Sequence, residues 1–204
     1  MICTICRNQL PITDYNFTVE NSVDRIFYGQ TPIVKANSFL FYTKFGLVKT
    51  LIHQLKYKGR QELGTFFGEW HGQQIIDTKL PMSIDMVIPV PLHSKKLKTR
   101  GYNQVTTFGT AVAKTLKVPF QETYLYRKTH TTTQTKKDRF LRWESQEKNF
   151  DVHPKYKSKL EGKTILLVDD VLTTGATLTA CANALHKIRG VKIYITTIAV
   201  APLH

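Results

Sequence analysis

Two acids, Asp169 and Asp170, directly follow the apolar run Ile165, Leu166, Leu167 and Val168, and are themselves followed by Thr173, Thr174, Gly175, Ala176 and Thr177. The run has the β-branched and aliphatic character of a parallel strand covered on both faces. The acids are therefore expected at the strand's carboxyl end, where open α/β sheets bind ligands. The residues after them read as a turn into a helix, which offers backbone N–H groups, three hydroxyls and a positive dipole end to an anion. Paired carboxylates suit vicinal hydroxyls, and an amide-lined turn suits a monoester phosphate. Adjacent aspartates can also be solvated turn residues, and Thr-Thr-Gly can be an ordinary helix start. It is the combination that points to a phosphorylated sugar.

Holding such a group requires strands that end together, and the hydrophobic pattern supplies them. Residues 39–42 read as a short strand, and Phe45, Val48, Leu51, Ile52 and Leu55 then recur at helical spacing. Leu63, Phe66, Phe67 and Trp70 mark a second helix, residues 86–90 the next buried strand, and Val105, Phe108, Val112 and Leu116 the apolar face of a helix after Gly101. Residues 123–126 can form a further strand, whereas residues 134–146 are polar, charged and thinly apolar, as in an exposed or mobile segment. Strand 164–168, helix 175–189 stopped by Gly190, and strand 191–200 make a parallel βαβ crossover. The alternation predicts an α/β fold, a doubly wound parallel sheet over residues 37–204, with residues 1–36 as a small N-terminal appendage.

The chain has 204 residues, 42% of them hydrophobic, enough for a real core. Its apolar runs fall short of a membrane span and its first ten residues lack a signal-peptide plan, which points to a cytoplasmic protein. Three cysteines argue against a disulfide framework. Cys181 shares an apolar helix face with Leu178, Leu185 and Ile188 and reads as core packing. Cys3 and Cys6 have the spacing of half a four-cysteine zinc site, and with two ligands alone zinc is not expected in this chain. The net charge is +14, and residues 91–163 hold 17 Lys and Arg against 6 Asp and Glu. Such a basic region suits a solvated surface, a highly anionic small substrate or a nucleic-acid backbone.

The segment VDDVLTTGAT resembles the phosphoribosyl diphosphate (PRPP) loop of the type I phosphoribosyltransferases. IHQLKYKGR at 52–60, VIPVPLHSKKLKTRGYNQ at 87–104 and TQTKKDR at 133–139 together are similar to the ComF branch of that family. The resemblance implies that Asp169 and Asp170 contact the ribose hydroxyls and that Thr173, Thr174, Gly175, Ala176 and Thr177 hold the 5-phosphate. It also implies a pyrophosphate loop of Pro91, Leu92, His93 and Lys95, with His93 alternatively a plain surface histidine. Among the nearby cations Arg100 is favoured, because guanidinium matches phosphate in bidentate fashion and Gly101 lets the backbone approach. Asp169, Asp170 and Arg100 are thus the expected catalytic residues.

Residues 127–142 resemble the flexible loop that closes over type I active sites, with Arg127, Lys128, Gln134 and Arg139 as its candidate ligands and a solvated charged face as the other reading. Mg²⁺ is expected as cofactor, bound mainly through the substrate's pyrophosphate rather than by a protein cage. The Lys56-Tyr57-Lys58-Gly59 signature suits acceptor recognition, with packing as the other reading of Tyr57. ComF-like proteins usually carry two CxxC pairs near the N-terminus, so residues 1–36 would be the remnant of a cysteine-rich region or the end of a longer one. The resemblance implies a phosphoribosyl transfer to an unnamed acceptor and allows a homodimer. Its association with competence carries the alternative, a protein that uses the fold to handle single-stranded DNA without transfer chemistry.

Overall fold

Four segments rich in β-branched and aliphatic residues pair in parallel, as expected of strands buried on both faces. They are β1 (Lys35–Phe41), β2 (Met86–Pro89), β5 (Thr164–Leu172) and β6 (Lys192–Val200), in the order β1-β6-β5-β2. The computed structural model describes residues 2–43, 45–78, 83–128 and 149–202. Within the sheet Val87 stands opposite Leu166, and Leu166 opposite Tyr194.

Side chains of consecutive strand residues alternate between faces, so β5 feeds two cores. Leu166 and Val168 face helices α3 (Leu47–Tyr57), α4 (Glu62–Asp77) and α6 (Gln104–Leu116), packing with Leu55, Phe67 and Phe108. Ile165 and Leu167 face α8 (Ala176–His186), with Cys181 and Leu185, and the hairpin of β3 (Leu125–Arg127) and β4 (Phe150–Val152). Helices on both sides of a parallel sheet make this the doubly wound α/β arrangement. Cys181 is fully buried in that second core. Three shorter helices, α1 (Thr4–Asn8), α5 (Ser94–Arg100) and α7 (Lys157–Leu160), complete the description with α2 (Ser22–Ile26).

The N-terminal segment packs on both faces of the sheet: Leu10 and Phe17 join the α4 side, Val23 and Phe27 the α8 side. Asp24 ties it to β1. Its carboxylate accepts the Asn21 N–H at the start of α2, the Ala36 N–H at 2.7 Å and the Lys35 ammonium at 3.3 Å. Ile12 bridges Leu40 and so covers the outer edge of β1. On α1 the Cys6 N–H donates to the Cys3 Sγ, and both thiols are free.

One boundary differs in a way that matters. β5 does not stop at Val168 but continues to Leu172, because β6 pairs with it as far as Leu172 opposite Val200. Asp169 and Asp170 therefore lie within an extended strand instead of following it, and the helix after Gly175 ends at His186. No described helix is long and apolar enough to cross a membrane.

Candidate functional site

Alternation along β5 sends its two acids to different surroundings. Asp170 is buried toward α3 and α6. Its Oδ2 accepts from the Gln104 amide at 2.5 Å and from the Lys56 ammonium at 3.0 Å. Asp169 is half-buried, and its Oδ1 accepts the Asp170 N–H at 2.8 Å. Burial and the adjoining Asp170 carboxylate push the Asp169 carboxyl up to about 8, against the opposing pull of that N–H bond and of Lys56 and Lys96. The next residues turn at Gly175, whose φ of +77° suits glycine. A Cβ there would lie 2.7 Å from Ile26 Cγ2, so the turn also needs glycine for space. Helix α8 starts behind it and aims its first N–H groups at the same edge of the sheet.

A cavity of about 200 Å³ opens at this carboxyl edge. Asp169, Asp170 and Thr177 form one wall, and Pro91, Leu92 and His93 form another. Lys56, Lys96, Arg100 and Arg127 bring positive charge to it. Lys95 is exposed and not in this lining; Lys96 is there instead, since α5 begins at Ser94 and turns successive side chains about 100° apart. His93 Nδ1 accepts the Lys95 N–H and caps that helix. Thr173 faces a second cavity, of about 700 Å³, which shares Lys56, Asp170 and Val171 with the first.

Each residue of the Arg-Gly-Tyr-Asn-Gln run has a task. Arg100 donates to Gln104 Oε1 at 2.7 Å and to the Tyr57 hydroxyl at 3.1 Å, with its guanidinium 4.7 Å from the Tyr57 ring centroid. Gly101 ends α5 in the left-handed region at φ +79°. Tyr102 donates to the Leu55 carbonyl, and Asn103 caps α6 while its amide donates to the Val90 carbonyl at 3.1 Å. Gln104 passes the chain of bonds on to Asp170. The outcome is one network from Tyr57 through Arg100 and Gln104 to Asp170 and Lys56. Sequence reasoning singled out Arg100 but missed Gln104 and Asn103, whose signal was their place in the same motif.

Of the expected loop residues, Arg127 lines the smaller cavity and lies over the Phe150 ring at 5.3 Å. Lys128 is held by Asp151 at 2.7 Å across the β3–β4 hairpin, which keeps its ammonium above the usual lysine range through that hydrogen bond. Gln134 and Arg139 lie outside the described residues. Thr174 is exposed at the turn and Ala176 opens α8. Among the described residues no group of three or more His, Cys, Asp and Glu could hold a metal.

Residues 105–202 match the phosphoribosyl transferase domain family, a span that holds the acid pair and the Gly175 turn. The chain is similar to the DNA utilization protein YhgH of Shigella flexneri, 28% identical over 143 residues that make up 67% of this chain and 60% of that protein. Competence protein F of Haemophilus influenzae is 32% identical over 110 residues, 54% of this chain and 46% of the relative. The matched stretch thus spans less than two thirds of the length of these curated relatives. Among solved structures, a glutamine PRPP amidotransferase from B. subtilis overlaps distantly, with a TM-score of 0.48 at 15% identity over 72% of this chain and 30% of the other. The domain match over residues 105–202 and these two relatives agree with the motifs: the chain is similar to the phosphoribosyltransferase-like proteins of the ComF type.

Proposed function

We propose that the cavity at the carboxyl edge of the sheet binds PRPP and that the protein transfers its phosphoribosyl group to an acceptor. The observation that carries this reading is the meeting, in one cavity, of the Asp169–Asp170 pair, Thr177 in the first turn of α8, and the cations Lys56, Lys96, Arg100 and Arg127. Transfer breaks the bond from the anomeric carbon to the diphosphate, so positive charge grows on the ribose and negative charge on the leaving group. The acid pair answers the first. It accepts the ribose hydroxyls and favours the developing cation in a site of low dielectric. Lys96, Arg100 and Arg127 answer the second, and the amides opening α8 hold the 5-phosphate.

Mg²⁺ fits this donor set only as a partner of the substrate. Asp169 and Asp170 are the carboxylates of the cavity among the described residues, and Asp170 already holds Gln104 and Lys56. A Mg²⁺ held beside Asp169 and Asp170 would take most of its oxygens from the substrate and water. It would neutralise charge on the leaving diphosphate. Calorimetric titration with PRPP and Mg²⁺ tests the reading. The expected result is saturable binding that Asp169→Asn with Asp170→Asn weakens at least tenfold, since loss of charge-assisted hydrogen bonds costs about 1.5–3 kcal/mol each. Unchanged binding in that variant would sink it.

The basic stretch of residues 91–163 and the names of the curated relatives favour a second reading, single-stranded DNA handling. A backbone groove built from these cations would show affinity for an oligonucleotide that falls steeply with salt, with slope roughly 0.7 per phosphate neutralised. A flat salt response would remove it.

A further inference from the structure

The 700 Å³ cavity beside Asp170 is lined quite differently from its smaller neighbour. His53 and Tyr57 stand one turn apart on α3 with ring centroids 5.0 Å apart, and Tyr42 and Phe45 face the same space from the segment after β1. Phe45 is 87% exposed and Tyr57 60%, so these rings are not consumed by the core. Large rings left uncovered around a concave surface mark a site for a ligand. The charge around them is one-sided. Lys49 lies 5.6 Å from the Phe45 ring centroid and makes no ion pair among the described residues, whereas Asp170 is already matched by Lys56. A concave mouth with uncompensated positive charge draws anions.

The position of this cavity gives it a role. Lys56, Asp170 and Val171 form the partition between the two cavities. A ribose held at the acid pair, with its diphosphate along the Pro91 to His93 wall, turns its other face toward the rings. Displacement at the anomeric carbon needs a nucleophile on that face. The nucleophile supplies the electron pair of the new bond, and the diphosphate leaves with the pair of the old one. An attacking atom that carries a proton loses it to water, a pyridine-type nitrogen carries none and keeps the positive charge in the product, and no oxidant or reductant takes part.

We propose that the larger cavity is the acceptor site and takes a planar heteroaromatic molecule bearing a negative charge, stacked on Tyr57 and His53 with its anionic group toward Lys49. The inference rests on the reading of the neighbouring cavity as the PRPP site. A volume of about 700 Å³ is ordinary for a small-molecule site and leaves room for a ring with its substituent.

Matched pairs of six-membered heteroaromatic carboxylates and carboxamides, nicotinate and nicotinamide first, test this by ligand-observed NMR on the full chain with ribose 5-phosphate and Mg²⁺ present. The carboxylates are expected to bind at least tenfold more tightly than their carboxamides. Lys49→Met should erase that preference, and His53→Ala should weaken both members about tenfold, as loss of one stacking partner does. PRPP binding measured on the same two variants separates a damaged fold from a lost acceptor site. Equal affinity within the pairs, or no binding of any pair by protein that binds PRPP, would overturn the proposal. Failure of the unmodified protein to bind PRPP would overturn the donor reading and the acceptor role together. A thymidine hexanucleotide that binds through Tyr57 while the carboxylates do not would overturn it in favour of a nucleic-acid surface.

Discussion

At the scale of single residues, Asp169 carries the sharpest expectation. Its carboxyl, raised to about 8, keeps at neutral pH a proton that an exposed aspartate loses near pH 4. A ribose hydroxyl donates best to the ionised form, so binding at pH 7 should release a proton. PRPP affinity should therefore climb as pH rises from 6.5 toward 8 and level off above it. Calorimetry in two buffers of different ionisation heat would read the proton directly, and Asp169→Asn should flatten the profile. The acid pair was legible in sequence because it follows an apolar run. That its members face different neighbours was not, because Lys56 and Gln104 come from segments 114 and 66 residues away.

At the scale of elements, the contact of α4 with α6 decides where Gln104 sits. Gly68 on α4 lies against α6 so closely that a Cβ would strike the Phe108 carbonyl oxygen and come within 2.7 Å of the Ala111 Cβ. Gly68→Ala gains about 1 kcal/mol of helix propensity, but forced separation of packed helices costs about 1–3 kcal/mol. The clash is with backbone, which cannot rotate away, so a net loss is expected. A lower urea midpoint with an unchanged slope would report it. The helical period of Leu63, Phe67 and Trp70 announced α4 from the sequence, yet nothing in that period says which helix approaches its glycine side.

At the scale of the molecule, His71 joins three elements beneath the sheet. Its Nε2 meets Thr196 Oγ1 of β6 at 2.8 Å and Asn37 Oδ1 of β1 at 3.3 Å, and its Nδ1 meets Gln74 on its own helix α4. Burial lowers its pKa to about 4, with Gln74 pulling the other way. Between about pH 6.5 and 4 the unfolded chain binds a proton that the folded one refuses, so stability is full above 6.5 and falls as the pH drops through this window. The loss is about 3 kcal/mol by linkage. Urea unfolding at pH 7 and pH 4.5 should show a smaller acid loss in His71→Gln than in the unmodified chain.

The amino-acid sequence by itself determined the strand-helix alternation, the two-sided burial of β5, and the turn into a helix at Gly175, because these depend on local period and on glycine's access to positive φ. It also singled out Arg100 within the Arg-Gly-Tyr-Asn-Gln run. Tertiary structure decided the rest. Pairing with β6 carried β5 past its acids, and the packing of α3 beside that strand set Lys56 between two cavities. It also spent Arg100 on Gln104 and Tyr57, where sequence alone presented a free guanidinium. Local periodicity tells which face of an element is apolar, whereas the partner of a polar side chain is settled by elements that meet only once the sheet has closed.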